Sequence, residues 1–119
     1  MKGNAKIEST MLGFEDHGIL TCFLMLKQSG TGQGFGGYRL DAPKNQPSEL
    51  GTFWVKKILE TVGVSKWEDL VGKHIRVDGE EYGDITGIGH IIEDRWFYPK
   101  KEIEKIIAAK KKEKVGEFN

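Results

Sequence analysis

The chain reads as a single α+β domain with about five mostly antiparallel strands and two main helices. Three observations lead there. Residues 19–27 form an apolar run rich in β-branched and aromatic side chains, bounded by turn residues on both sides. Leu50, Trp54 and Ile58, then Val55, Leu59 and Val62, recur at helical spacing, with Lys56, Lys57 and Glu60 on the opposite face. Lys73 to Val77 alternates, Ile75 and Val77 against His74 and Arg76. At 119 residues the chain is long enough for one core and shows no internal repeat or second domain.

In chain order, residues 5–13 predict a first strand with Ile7 and Met11 on one face. Phe14-Glu-Asp-His-Gly18 has turn chemistry. Ile19 to Lys27, apolar at nearly every position, predicts a central strand covered on both faces. Residues 30–37 place five glycines in eight positions and read as a loop. Residues 35–40 then re-enter the sheet, which makes a meander with a glycine-rich bend. Asp41 to Pro47 reads as a surface connection, Ser48 as the N-cap of the first helix and Gly63 as its end. Ser65-Lys-Trp-Glu68 fits a capping box that opens a short helical turn through Leu70, stopping at Gly72. Beyond the alternating strand, Asp78-Gly79 starts a tight turn, and a further strand is expected from about 84 to 93. Pro99 suits the first position of a final helix with a narrow stripe of Ile103, Ile106 and Ile107, whose lysine-rich end, 110–119, is expected to fray.

Eighteen basic and 18 acidic residues cancel, so no global field gathers polyanions. The local exception is Lys100 to Lys114, with seven lysines against three glutamates. The single cysteine, Cys22, sits inside the apolar run and is expected to be buried and reduced. The first six residues carry no apolar stretch of a secretion signal, and no run is long enough to span a bilayer. A cytoplasmic protein without a membrane partner is the expectation.

No motif names a reaction. Gly32-Gln-Gly34-Phe-Gly-Gly37 matches G-x-G-x-x-G, but Tyr-Arg-Leu-Asp-Ala-Pro follows it instead of the helix a dinucleotide site requires. A backbone nest for an anion and a closely packed hairpin are the remaining readings. Glu15-Asp16-His17 has side chains for acid–base or metal chemistry, against which stands a turn in which Asp16 caps the backbone. His74 and His90 fall on separate strands and are candidates to face one another across the sheet, yet no H-x-H or H-x-x-x-H spacing supports a metal. Buried Cys22 is an inert thiol, and no G-x-S-x-G elbow occurs. Arg95-Trp-Phe-Tyr-Pro99 cannot turn all three rings inward, so Trp96 or Tyr98 should lie at a rim. The predicted contact surface joins three groups. They are the turn (Asp16, His17), the glycine segment (Gly32, Gln33, Gly34, Phe35, Tyr38, Arg39) and the basic and aromatic residues Arg76, Arg95, Trp96 and Tyr98. Neither a cofactor nor a metal is predicted.

Two stretches carry a resemblance. Ile7 to Thr21, with Glu-Asp-His-Gly18, runs into Gly-Gln-Gly-Phe-Gly-Gly-Tyr-Arg-Leu-Asp41. Val64-Ser-Lys-Trp-Glu-Asp-Leu-Val-Gly-Lys-His-Ile-Arg-Val77 is followed by Ile88 to Phe97. Together they resemble small proteins encoded by tailed phages and prophages, for which no function is assigned. The resemblance spans most of residues 7–97 and brings no catalytic residues. It implies an accessory protein that binds host machinery, a class that includes inhibitors of CRISPR effectors and other defence systems. Three readings follow. The first is a binder of a host protein or ribonucleoprotein complex. The second is a nucleotide-signal sponge using the glycine amides with Arg39 and Arg76. The third is a small metal-dependent phosphodiesterase built on His17, His74 and His90. An exposed edge strand near the bend would favour a homodimer.

Overall fold

The alternations in the sequence become one antiparallel sheet, curled around a helix. The structure is a computed structural model that describes residues 2–40, 49–80 and 84–117, excepting the side chains of residues 38, 49–50 and 110–117. Its elements are β1 (Lys2–Phe14), β2 (Leu20–Gln28), β3 (Thr31–Arg39), α1 (Glu49–Val62), a 3-10 turn (Trp67–Asp69), β4 (His74–Gly79), β5 (Ile85–Gly89), β6 (Trp96–Phe97) and α2 (Pro99–Glu117). The strand order is β3-β2-β1-β4-β5-β6, and every pairing is antiparallel. The α+β class therefore holds, with six strands in place of about five. The additional strand, β6, is drawn from the aromatic cluster.

Long β1 is the spine. Its first five residues pair with β4 and its remainder with β2. A bulge at Glu8 separates Ile7, opposite Leu26, from Ser9, opposite Met25. One extra residue exchanges the two faces beyond it. Ile7 is buried, but Met11 turns to the outer face with Phe23, while Thr10, Leu12 and Phe14 take the inner face. The expected sharing of one face by Ile7 and Met11 is thereby overturned. On β2, Cys22, Leu24 and Leu26 fill the core, whereas Phe23 and Met25 stay half-buried outside. The strand is covered fully on one face only.

The glycine segment is not a loop. Only Ser29 and Gly30 form the connection, both at positive φ (50° and 83°), as a two-residue type I′ hairpin demands. Residues 31–39 are the strand β3, with a bulge where Gly36 adopts φ 113° against Cys22 and Phe23.

The curl brings the ends of the sheet together. Phe35 of β3 meets Phe97 of β6 edge-on at 6.3 Å. Into this concavity α1 inserts Trp54, Ile58 and Val62, the stripe its periodicity predicts, and Phe97 lies against Phe53 and Trp54 at 6.3 and 5.5 Å. The first turn of α1 presses on Leu40, with Gly51 at the contact. Gly63 ends the helix as expected, its N–H donating to the Leu59 carbonyl at 2.8 Å. Ser65 does not cap the turn that follows. Lys66 holds the N-cap position and makes no side-chain capping bond there.

The strand expected over 84–93 stops at Gly89. The next residues wrap around His90, whose Nδ1 accepts the N–H groups of Ile92 and Glu93 at 3.1 and 2.9 Å. Ile91 and Ile92 are consequently exposed instead of continuing the ladder. The proposed connection 41–47, the Ser48 cap and the lysine side chains of the C-terminal end lie outside the described residues. No helix among those described is long and apolar enough to cross a membrane.

Candidate functional site

The predicted surface separates into two regions at opposite ends of β1. From Asn4 to Phe14 the strand runs about 30 Å at roughly 3.3 Å per residue. The Asp16–His17 turn and the end of β3 share one end, while Arg76, Trp96 and Tyr98 occupy the other.

At the first end the turn is self-contained. Glu15, not Asp16, caps it. The Glu15 carboxylate accepts the N–H groups of His17 and Ile19 at 2.6 and 3.2 Å and faces the His17 Nδ1 at 2.9 Å. These contacts, the His17 ring first, hold the Glu15 carboxyl below its ordinary range. Asp16 and His17 are exposed at the tip. Beside the tip, the Leu40 N–H donates to the Leu20 carbonyl at 2.8 Å, and Arg39 stands opposite Thr21. The Glu-Asp-His-Gly turn and the end of the glycine strand are thus neighbours in space.

β3 is an edge strand, and β2 is its one ladder partner among the described residues. The two-residue turn makes Gln28 and Thr31 a hydrogen-bonded pair, so alternation gives Gln33 and Phe35 the inward ladder bonds. The backbone groups of Gly32 and Gly34 point outward from the edge. Both glycines are exposed. A Cβ at Gly34 would meet nothing within 4 Å, and one at Gly32 would only touch the Met25 sulfur at 4.0 Å. Packing does not demand glycine at either position. Phe35 belongs to the core, Gln33 is half-buried on the same face, and the Tyr38 side chain lies outside the described residues.

A groove of about 690 Å³ opens where β3 ends, lined by Leu20, Leu40, Val55, Leu59 and Val64 with the stem of Lys56. Leu12 and Phe14 extend its apolar wall along the inner face of the hairpin, 46% and 71% exposed because α1 does not reach that far. Sequence reasoning missed both residues. The alternation Thr10-Leu12-Phe14 was the available signal, obscured by the bulge at Glu8.

At the other end, Arg95, Trp96 and Tyr98 do not act together. Arg95 turns to the inner side, where its guanidinium and the His90 ring both lie against Gly63, and its Nε is 3.0 Å from Glu93. Trp96 and Tyr98 lie on the outer face, rings stacked at 5.9 Å and 20°, over Gly89 and Gly87. Arg76 donates to the carbonyls of His90 and Glu93, both at 2.7 Å, which holds its guanidinium 4.8 Å above the Trp96 ring. The Tyr98 hydroxyl donates to Asp78 at 2.7 Å. Burial and that carboxylate push the phenol up to about 12, and the same bond lowers Asp78.

Two expected constellations do not assemble. Arg39 and Arg76 stand on β3 and β4, with two strands between them, and do not converge on the glycine amides. The three histidines are held apart. His17 is at the hairpin tip, His74 is on the outer face opposite Lys6, and His90 is on the inner side against Gly63. No group of three or more metal-ligating side chains occurs among the described residues. Cys22 is fully buried, as expected, and burial raises its thiol to about 11. No protein-family model, curated protein or solved structure matches this chain.

Proposed function

We propose that this chain is a non-catalytic binding protein that receives an extended segment of a partner protein along the outer edge of β3. One observation carries the reading: a sheet edge whose outward N–H and C=O groups at Gly32 and Gly34 are bare of side chains that packing would require. Exposed edges pair readily with an added strand, and natural proteins usually block them with charge, proline or cover. Strand addition takes its affinity from main-chain hydrogen bonds and its specificity from adjacent pockets. The apolar groove at Leu20, Leu40 and Leu59, with Leu12 and Phe14 beside it, is such a pocket.

The resemblance to phage-encoded accessory proteins supports a host defence protein or ribonucleoprotein, such as a CRISPR effector, as the partner. A nucleotide sponge and a phosphodiesterase receive no comparable support, since their residues do not converge.

Gly34→Pro is the discriminating variant. It removes an outward donor and blocks an added strand while sparing the ladder to β2. The expected result is that the wild-type chain retains a host protein which then binds it in purified form, and that Gly34→Pro abolishes this without lowering the melting temperature. Equal retention by the variant, or no purified protein that binds, overturns the reading. A wild-type dimer that Gly34→Pro splits would assign the edge to a second copy of the chain instead.

A further inference from the structure

The outer face at the far end of the sheet is unlike the rest of this charge-balanced molecule. Pairing lines its residues up in rows across the strands. Lys27, Lys6 and His74 form one row. Asn4, Arg76, Gly89 and Trp96 form the next. Lys2, Asp78 and Gly87 form the third, with Tyr98 resting on Gly87. Lys6 and Lys27 stand directly opposite each other, an arrangement that disfavours the sheet. Two cations crowd one indole, Lys2 at 4.9 Å and Arg76 at 4.8 Å, and Lys101 sits 4.7 Å above the Tyr98 ring. Two carboxylates among the described residues pair with this face. Glu8 is 3.8 Å from Lys27, and Asp78 is engaged by the Tyr98 hydroxyl.

We propose that this face binds single-stranded nucleic acid, with phosphates on Lys2, Lys6, Lys27 and Lys101 and bases on the Tyr98 ring and on the Arg76 guanidinium that Trp96 supports. Excess positive charge on a face of a neutral protein calls for a polyanion. Adjacent flat rings call for one whose π-faces are uncovered, which an unpaired strand offers and a duplex does not. A bilayer is a poorer match, because both rings lie flat on the glycine floor and cannot insert. Arg76 is fixed by two carbonyls, so its guanidinium is itself a rigid stacking plane. Lys2 and Lys101 reach the rings on flexible stems, and an arriving base displaces them towards its own phosphates. Across the strands, β2 to β6 spans about 19 Å at roughly 4.8 Å per step. That is room for about four nucleotides, the smaller site size of such platforms. The face reaches the β3 edge, since Gly32 stands opposite Lys27, but the cations and aromatic rings that carry this proposal are separate from the bare main chain that carries the other.

The test is fluorescence anisotropy of labelled 12-nucleotide RNA and DNA strands (a length of about three site sizes) titrated with the full chain over a range of salt. Single strands should bind more tightly than the matching duplex, with affinity falling as salt rises. Lys6→Glu combined with Lys27→Glu should weaken binding about tenfold or more and reduce the salt slope by about 1.4, two phosphate contacts at roughly 0.7 each. Both lysines are exposed, so the melting temperature should hold. Trp96→Leu should weaken binding with little change in slope, which separates stacking from charge. No binding at about 100 μM protein in low salt, duplex bound as well as single strand, or an unaffected lysine variant overturns the proposal. Equal competition by polyglutamate also overturns it and assigns the face to an acidic polypeptide.

Discussion

Replacing Phe97 by alanine tests whether the curl of the sheet around α1 is what holds the molecule together. Phe97 belongs to a strand of only two residues, yet its ring is fully buried and touches Phe35, Phe53 and Trp54, residues from the far edge of the sheet and from α1. Truncating a buried phenylalanine costs about 3–5 kcal/mol, transfer and residual cavity together. Three ring contacts with tilted or edge-on geometry place this site at the upper end. Against a total stability of about 5–15 kcal/mol, that is a large share. At about 4 °C per kcal/mol for a chain of this length, the melting temperature should fall by about 15 °C or more. Urea unfolding followed through tryptophan fluorescence is the assay, with Trp54 beside the mutated ring as reporter. Phe14→Ala is the control. The same chemical change at a side chain 71% exposed should cost within about 0.5 kcal/mol. A loss below about 1 kcal/mol for Phe97→Ala, or equal losses for the two variants, would refute the reasoning.

Gly36→Ala should destabilise by about 1–3 kcal/mol or more, because φ 113° is strained for alanine and the new Cβ would lie 2.8 Å from the Cys22 carbonyl oxygen. Gly34→Ala, in open space, should stay within about 0.5 kcal/mol; chemical denaturation of both distinguishes required from unrequired glycine in β3. Two groups have folded pKa values above their unfolded ones, Cys22 at about 11 against 9.0 and Tyr98 at about 12 against 10.0. Their stabilisation is complete below the unfolded values and lost as pH rises through the folded ones. Urea midpoints should therefore decline from about pH 9 upward, with one tyrosine ionising late by ultraviolet absorbance; a flat profile to pH 12 would contradict this. Glu15 has the opposite sign. Its lowered pKa means that the turn keeps its carboxylate bonds above the ordinary value near 4.5 and loses them as pH falls through the depressed one. Protection of the His17 and Ile19 amides, taken relative to the intrinsic exchange rate at each pH, should fall over that range, and Glu15→Ala should lack it already at neutral pH.

The parts legible in the sequence are those governed by local periodicity and backbone chemistry. Ile75 and Val77 alternating with His74 and Arg76 could only be a strand with one covered face. Trp54, Ile58 and Val62 could only be a helix stripe, and Gly63 and Pro99 marked helix ends because their backbone preferences act within a residue or two. The glycine segment misleads because five glycines in eight positions suggest a loop. In β3, neighbouring β2 holds those residues extended through ladder bonds that no local pattern reveals. The rim aromatics were recognised, but not that Gly87 and Gly89 form their floor, since that contact joins strands paired across the sheet.

From sequence alone came the α+β class, the two helices, the buried thiol and the meander of the first three strands. Each follows from the spacing of apolar side chains along the chain. Tertiary structure alone decided which residues share a surface. The bulge at Glu8 exchanged the faces of β1 beyond it and put Leu12 and Phe14 on the inner face past the reach of α1, and the strand order left β3 at an edge. The length of β1 set the turn and the aromatic cluster about 30 Å apart. Such facts depend on register between distant segments, where a shift of one residue inverts every side chain while the local pattern stays the same.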